Sequence, residues 1–279
     1  FLVSDCSSSL APRLRKAAMS PSPTTRVPTF IGISDSMFQV ACKSWNDRPT
    51  GQTDLSGNFT NPKELNATTY TRILFTEQDK ADEPQPMWSF VKNQCMHCAD
   101  PACVSACPVG AFKKSEAGPV TYNFDRCIGC RYCMVACPFS VPKYEWQSLF
   151  PWVRKCTFCS DRIAEGMTPA CVKACPTNVM LFGSLNEVTK EAEKRLKDNP
   201  GKYVNHIYGK EEAGGTCWIY ISAVPFAELG FNTKIPAVNH PDLTWNMLSE
   251  IPMKVGTLVG GLGLIAAFRN RGASEEPSE

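Results

Sequence analysis

Fifteen cysteines dominate the chemistry that this sequence can support. Most of them stand two to four residues apart, and a proline follows the last cysteine of each group. Cysteines at such short spacing cannot easily form disulfides with one another, but their thiolates can converge on one metal centre. The three complete groups are Cys95, Cys98, Cys103 and Cys107; Cys127, Cys130, Cys133 and Cys137; and Cys156, Cys159, Cys171 and Cys175. The cysteines therefore predict metal ligation.

The spacing within the groups indicates which metal centre is bound. The second group reads C-x2-C-x2-C-x3-C-P, the spacing of bacterial [4Fe-4S] sites. The first group differs by two residues, and the third has an eleven-residue gap before its C-x3-C-P ending. Four-cysteine zinc sites, the main alternative, use C-x2-C pairs but do not require the repeated C-x3-C-P ending. The sequence favours cubane clusters over zinc.

The ligands of each cluster follow from a rule of two-cluster ferredoxins. There, the cysteine before the proline ligates the neighbouring cluster. Applied here, the rule predicts three ligand sets, which we call quartets A, B and C. Quartet A is Cys95, Cys98, Cys103 and Cys137, and quartet B is Cys127, Cys130, Cys133 and Cys107. Quartet C is Cys156, Cys159, Cys171 and, as a distant member, Cys42.

Cys42 is the remnant of a damaged first group. An intact group would carry three cysteines just before it, where this chain has Ile33-Ser-Asp-Ser-Met-Phe-Gln-Val-Ala41. Those three would have joined Cys175 in a fourth cluster. We therefore predict three [4Fe-4S] clusters, with Cys175 an orphan thiol, or four if the first group is incompletely represented. Cys6 and Cys217 are also left without a cluster.

The elements that position these loops predict an α+β fold. We expect two ferredoxin-like units of the bacterial 2[4Fe-4S] type, one inserted in the other, plus a C-terminal helix. The predicted segments are an N-terminal arm (1–26), a split unit (27–90 and 146–185), an inserted unit (91–145), a C-terminal extension (186–244), a membrane or docking helix (245–268) and a polar tail (269–279). Local patterns predict strands near 120–124, 179–182 and 214–221 and a surface helix over 185–197.

Composition and motifs exclude several classes of function. The chain has 29 Lys and Arg residues against 27 Asp and Glu, so no basic surface for nucleic acid is expected. It contains no nucleophile–base set, phosphate loop or dinucleotide fingerprint. We therefore predict a non-catalytic chain that transfers electrons.

The apolar tail predicts a contact with a membrane or with another subunit. Residues 255–268 form a fourteen-residue apolar run, short for a span of about 20 residues. Gly256 and Gly260 form a Gly-x-x-x-Gly pair suited to close helix packing in lipid. Arg269 and Arg271 favour a cytoplasmic end, which places the cluster domain on the periplasmic side. The alternative is a helix packed on a partner subunit.

Other polar side chains flank the cysteines. His97 lies inside the first group, but Cys98 completes the spacing, so we expect His97 to donate a hydrogen bond or to face a partner. Arg131, Arg154 and Lys155 either raise cluster potentials through their charge or, as the preferred interpretation, are solvated at the surface.

The motif region resembles the iron–sulfur (beta) subunits of membrane-bound formate dehydrogenases and related respiratory oxidoreductases. The stretches that carry the resemblance are Gln39–Asp47, Cys95–Pro101, Cys127–Cys133, Cys156–Arg162 and Pro169–Pro176. The chain also looks like the ferredoxin-type subunit of membrane-bound nickel–iron hydrogenases. This resemblance is carried by Arg131–Pro138, by the predicted strand that begins Gly214-Gly215-Thr216, and by the tail.

The resemblance implies electron transfer between a catalytic subunit and a membrane. The catalytic partner would hold molybdenum or tungsten on molybdopterin, and a cytochrome b subunit would react with quinone. The missing cluster corresponds to the site usually nearest the catalytic partner. The alternatives are the same role beside a nickel–iron hydrogenase or another molybdopterin reductase, a stand-alone polyferredoxin, or a structural cysteine-rich module without redox duty.

Overall fold

The computed structural model describes residues 2–5, 35–53, 59–78 and 86–273. They divide into two units, of which the first runs to Asn239 and contains all the described cysteines. The second begins at His240 and consists of two helices. The cysteine chemistry and the apolar tail therefore belong to different units.

The first unit mixes short strands with short helices. Its strands are β1 (Leu2–Asp5), β2 (Thr71–Gln78), β3 (Met87–Gln94), β4 (Phe112–Lys114), β5 (Val120–Tyr122), β6 (Lys143–Tyr144), β7 (Val153–Arg154), β8 (Leu181–Ser184) and β9 (Trp218–Ile219). Its helices are α1 (Asp35–Trp45), α2 (Ala102–Ser105), α3 (Tyr132–Ala136), α4 (Ser160–Ala164), α5 (Ala170–Lys173) and α6 (Leu185–Asp198). The mixture confirms the predicted α+β class, and the insertion of one unit in another stays a prediction.

The described strands form four small sheets. β2 and β3 pair antiparallel over eight residues, from Thr71 opposite Gln94 to Gln78 opposite Met87. β4 pairs with β5 and β6 with β7, both antiparallel. β1 lies between β8, to which it is parallel, and β9, to which it is antiparallel.

The start of the chain differs from the predicted N-terminal arm. Leu2–Asp5 pairs as β1 with Leu181–Ser184, whose residues lie far along the chain. A four-residue segment carries too little periodicity for the sequence to reveal such a pairing. The rest of the arm and part of the damaged motif, residues 6–34, lie outside the described residues.

The predicted surface helix is confirmed as α6. It begins with a capping box, in which the Ser184 hydroxyl and the Glu187 side chain each bond the other residue's backbone. Val188 and Ala192 face inward and pack in one apolar cluster with Ile219 of β9. The helix is thereby fixed to the three-stranded sheet.

Two predicted strands are shorter than their patterns indicate. β5 ends at Tyr122, because the Asn123 side chain accepts the N–H of Asp125 and starts a 3-10 turn. The strand expected over 214–221 is reduced to Trp218–Ile219. Gly214 has a φ of +76°, a conformation of turns rather than strands.

The second unit consists of α7 (His240–Ser249) and α8 (Ile251–Ala273). Pro252 occupies the second position of α8, where its missing N–H costs little, so a new helix starts there. The segment His240–Asn270 is long and apolar enough to cross a membrane, with a mean hydropathy of 1.6 in its best window. The predicted C-terminal helix is confirmed as α8, and a separate helix, α7, precedes it.

Candidate metal centres

The members of quartet C line one small cavity. Cys42 lies on α1 and Cys171 on α5, and these two helices pack against each other. Cys156 and Cys159 belong to the loop that leads into α4. The structure therefore brings Cys42 to the three distant cysteines that the crossover rule assigns to it.

A second contact between the same two segments holds this arrangement. The indole N–H of Trp45 donates to the Asp161 carboxylate at 2.9 Å, and the Arg162 guanidinium lies 4.3 Å from the centre of the Trp45 ring. The Thr157 hydroxyl donates to the Asn46 side-chain oxygen at 3.1 Å. Side-chain contacts therefore hold the stretches around Cys42 and Cys156 together, and the sequence alone did not predict these contacts.

The members of quartet A are close enough to affect one another's ionisation. Burial raises the pKa of Cys98 well above its ordinary value, and the nearby thiols of Cys95, Cys137 and Cys103 raise it further. Cys137 comes from the second cysteine group, as the crossover rule requires. The four thiols therefore share one buried region.

The members of quartet B are close to one another in the same way. Burial raises the pKa of Cys133 to about 12, and the thiols of Cys127, Cys107 and Cys130 add to the rise. Cys107 is contributed by the first group. Quartets A and B therefore exchange their last cysteines.

Thiols with raised pKa values stay protonated unless a cation replaces the protons. A bound metal deprotonates its thiol ligands outright, because its charge reverses the repulsion between the thiolates. The quartets, whose cysteines are buried or half-buried, are therefore suited to a positively charged metal core.

The spacing of the quartets is wider than a mononuclear site requires. Among the described residues, no three His, Cys, Asp or Glu side chains converge closely enough to hold a single metal ion. Four thiolates on one zinc lie about 2.3 Å from the ion and so nearly touch one another. A cubane places four iron atoms between its ligands and therefore needs wider spacing than a single zinc ion.

Backbone N–H groups in the cysteine loops point at the sulfur atoms. The amide of Gly129 donates to the Cys127 sulfur at 3.5 Å, and the amide of Phe158 donates to the Cys156 sulfur at 3.4 Å. Gly129 and Phe158 have φ values of +71° and +59°, which turn the chain around the cysteines. A side chain at Gly129 would lie 3.0 Å from the Tyr144 hydroxyl. The loops therefore provide donors that stabilise anionic sulfur.

Apolar packing arranges the quartets in a row. Cys95 of quartet A and Cys156 of quartet C share one apolar cluster. Cys103 of quartet A and Cys133 of quartet B share another. Quartet A therefore lies between quartets C and B.

Comparison with known proteins identifies the family. Residues 86–185 match the family model of the 4Fe-4S dicluster domain. The chain is 36% identical over 219 residues to the formate dehydrogenase-O iron–sulfur subunit of Escherichia coli strain K12, an alignment that covers 76% of this chain and 69% of that protein. The chain belongs to the family of iron–sulfur subunits that includes those of formate dehydrogenase.

The chain is also similar to two other proteins. It is 44% identical over 194 residues to a protein of Nitratidesulfovibrio vulgaris strain Hildenborough, covering 68% of this chain and 52% of that protein. It is 40% identical over 174 residues to the hydrogenase-2 operon protein HybA of Escherichia coli O157:H7, covering 53% of each chain. The chain thus spans about half the length of these two relatives.

In this iron–sulfur subunit, Cys175 belongs to none of the three quartets, but backbone N–H groups surround its thiol as they would a ligand. Burial raises the pKa of its thiol, but the N–H groups of Met180, Thr177 and Val179 outweigh that effect and leave the pKa below its ordinary value. Phe38, from the stretch that replaces the missing cysteines, packs against the apolar cluster that contains Cys175. An aromatic side chain of the damaged motif therefore packs in the same apolar region as the Cys175 thiol.

Of the other two spare cysteines, the structure describes Cys217. Cys217 is fully buried and disulfide-bonded, which removes it from the set of free thiols. Cys6 lies outside the described residues.

His97 does not face a partner, which corrects one of the two expectations for it. Its side chain is fully buried, its ring lies 4.7 Å from that of Phe158, and its Nδ1 accepts the N–H of Val120 at 2.9 Å. Burial lowers the pKa of His97, and the Lys155 charge lowers it further, so the ring is neutral with its proton on Nε2. Because Nε2 has no partner among the described residues, this buried N–H is available near quartet A.

Lys155 is buried, which corrects the expectation that it is solvated. Its ammonium donates to the backbone carbonyl of Cys156 at 3.0 Å. A second lysine, Lys114, donates to the carbonyls of His97 and Cys98 at 3.1 and 2.8 Å. Sequence reasoning missed Lys114, because it lies in a strand outside the cysteine motifs.

Quartet B is surrounded by exposed apolar side chains. They lie in the quartet B loop and in the neighbouring 145–152 loop and include Ile128, Tyr132, Val135, Leu149 and Phe150. Arg131 joins the two loops, because its guanidinium lies 5.0 Å from the centre of the Trp146 ring. Arg154 is not freely solvated, since it pairs with Glu145 at 2.6 Å. Exposed apolar patches of this kind mark interaction surfaces.

Proposed function

We propose that this chain is the electron-transfer subunit of an oxidoreductase complex and carries electrons through three [4Fe-4S] clusters. The observation that supports this most strongly is the row of quartets C, A and B. Each quartet takes three cysteines from one part of the chain and a fourth from another. A structural module without redox duty would not need three such sites in contact.

The cysteines of quartets A, B and C would hold the clusters, which supply one-electron storage when bound. The chain's own residues keep the sites at fixed spacing, because the loops belong to short helices and ladders that pack around one core. Burial excludes water from the thiolates, and the backbone amides donate hydrogen bonds to sulfur. Both factors are known to set cluster potentials.

The partners follow from the relatives and from the exposed face. Relatives named as formate dehydrogenase subunits support a catalytic partner with molybdenum or tungsten on molybdopterin, and HybA supports a hydrogenase as the second candidate. The apolar face around quartet B supports a protein partner at that end of the row. A cytochrome b subunit that reacts with quinone would accept or supply the electrons at the membrane.

We assign the tail to the membrane. At 1.5 Å per residue, the 23 residues of α8 extend about 35 Å, more than the hydrocarbon core of about 30 Å. The arginines that follow the apolar run, Arg269 and Arg271, are proposed to lie on the cytoplasmic side. The cluster domain would then be periplasmic.

The proposed function is tested on the native complex, isolated through a tag on this chain. We expect the dithionite-reduced complex to give [4Fe-4S] signals in electron paramagnetic resonance, and elemental analysis to show molybdenum or tungsten beside the iron. Nickel without either metal would assign the chain to a hydrogenase. Absence of [4Fe-4S] signals would refute the electron-transfer role and leave the structural module.

Cys175 provides a control that distinguishes three clusters from four. We expect Cys175→Ala to leave the iron content of the complex unchanged, because no quartet forms around this thiol in the described residues. The matched variant Cys171→Ala, four residues away on the same stretch, should lose one cluster, about four iron atoms. Equal losses from the two variants would show a fourth cluster at Cys175.

A further inference from the structure

Among the side chains other than cysteine that line the cavity of quartet C, three are buried and bring polar groups to it. They are Lys92 of β3, Thr71 of β2 and Trp218 of β9. All three are buried, with Lys92 only 1% exposed. Within the part of the chain that the structure describes, the Thr71 hydroxyl and the Trp218 indole N–H have no hydrogen-bond partner.

Lys92 is held in place by the side chains around it. Its ammonium lies 4.3 Å from the centre of the Trp218 ring, a cation–π contact. The Tyr220 hydroxyl donates to the Lys92 backbone carbonyl at 3.0 Å, and the Gln94 amide donates to the same hydroxyl at 2.6 Å. The position of the charge is therefore set by neighbours and not by solvent.

No carboxylate balances this charge. In the described part of the chain, none of the ion pairs includes Lys92. Buried charges are normally paired, because an isolated ion in a low-dielectric interior is unfavourable. A four-thiolate cluster carries net negative charge, and that charge grows when the cluster is reduced. Quartet C is the group beside Lys92 that would supply the missing negative charge.

We propose that Lys92, supported by the Thr71 hydroxyl and the Trp218 indole, is the built counter-charge of the quartet C cluster and raises its reduction potential. The inference rests on the proposed function. Reduction adds one electron to the cluster, and the fixed ammonium stabilises the reduced form more than the oxidised form. Lys92 is a positioning residue, since it is not a ligand and needs to exchange no proton.

The test is a redox titration of the native complex, in which electron paramagnetic resonance monitors the reduction of each cluster. We expect Lys92→Met to lower the reduction equilibrium constant of one cluster at least tenfold, or about 59 mV for one electron. That cluster should be the one lost in Cys42→Ala. Lys92→Arg, which keeps the charge, should change the constant less than threefold. Lys210→Met, an exposed lysine paired with Glu193, is the matched control and should change none.

An unchanged potential in an intact Lys92→Met complex would overturn the proposal, as would equal shifts of all three clusters. If Lys92→Met loses the cluster, two other variants test the proposal instead. Trp218→Phe keeps an aromatic ring and removes the N–H, and Thr71→Val removes the hydroxyl. Each is then expected to lower the same equilibrium constant about threefold, and no shift in either would refute the assignment. A wild-type complex without [4Fe-4S] signals would refute the proposed function itself.

Discussion

Cys42→Ala is expected to lower the iron content of this chain from about twelve atoms to about eight, the loss of one cubane of three. Cys156→Ala should cause the same loss, although the two cysteines lie far apart in the sequence. The physical reason is that both line one cavity, so removing either ligand leaves the same metal core incomplete. The double variant should therefore lose no more iron than either single variant.

The measurement is iron per chain in the purified complex, with the spectrum of the reduced protein beside it. The same spectral component should disappear in Cys42→Ala, in Cys156→Ala and in the double variant. Cys175→Ala is the control, because it removes a buried cysteine outside the quartets. Additive losses in the double variant would show that Cys42 and Cys156 serve different clusters and would refute the pairing.

Leu262→Arg is expected to release the chain from the membrane. Leu262 lies in the middle of the apolar run of α8 and is exposed in the structure. An arginine at the centre of a spanning helix costs about 2.5 to 3.5 kcal/mol, which corresponds to roughly a hundredfold change in insertion. The measurement is the fraction of the chain that resists alkaline carbonate extraction from membranes of cells that make the whole complex.

Phe268→Arg is the matched control for this prediction. It changes an apolar residue of the same run to arginine, but next to Arg269, where the side chain reaches the interface at little cost. We expect this variant to stay in the membrane fraction. If Leu262→Arg stays there as well, α8 packs on a partner subunit and does not span the lipid.

Local patterns account for part of what the structure shows in the cysteine region. The spacing around Cys127 and its repeats indicated cluster loops, and the crossover rule grouped the cysteines as the structure brings them together. The helix pattern over 185–197 was enough to predict α6, because capping and periodicity are local properties. The ligation of iron by these cysteines, and the insertion of one ferredoxin-like unit in the other, stay predictions.

Other features depend on contacts between residues distant in sequence. The pairing of β1 with β8 and the bond from Trp45 to Asp161 join segments more than 100 residues apart. Lysine side chains are normally solvated, so the sequence favoured a surface position for Lys155. Its burial follows from backbone carbonyls that become available only when the loops assemble.

The sequence by itself determined the metal chemistry, because cysteine spacing limits which centre the thiolates can surround. It also determined the apolar tail, since length and hydropathy are properties of the chain. Only the tertiary structure decided the order of the quartets and the surroundings of quartet C. Lys92, Thr71 and Trp218 come from three separate strands, and no pattern in the chain marks them as neighbours. Their electrostatic effect depends on distance and burial, which exist only in the folded protein.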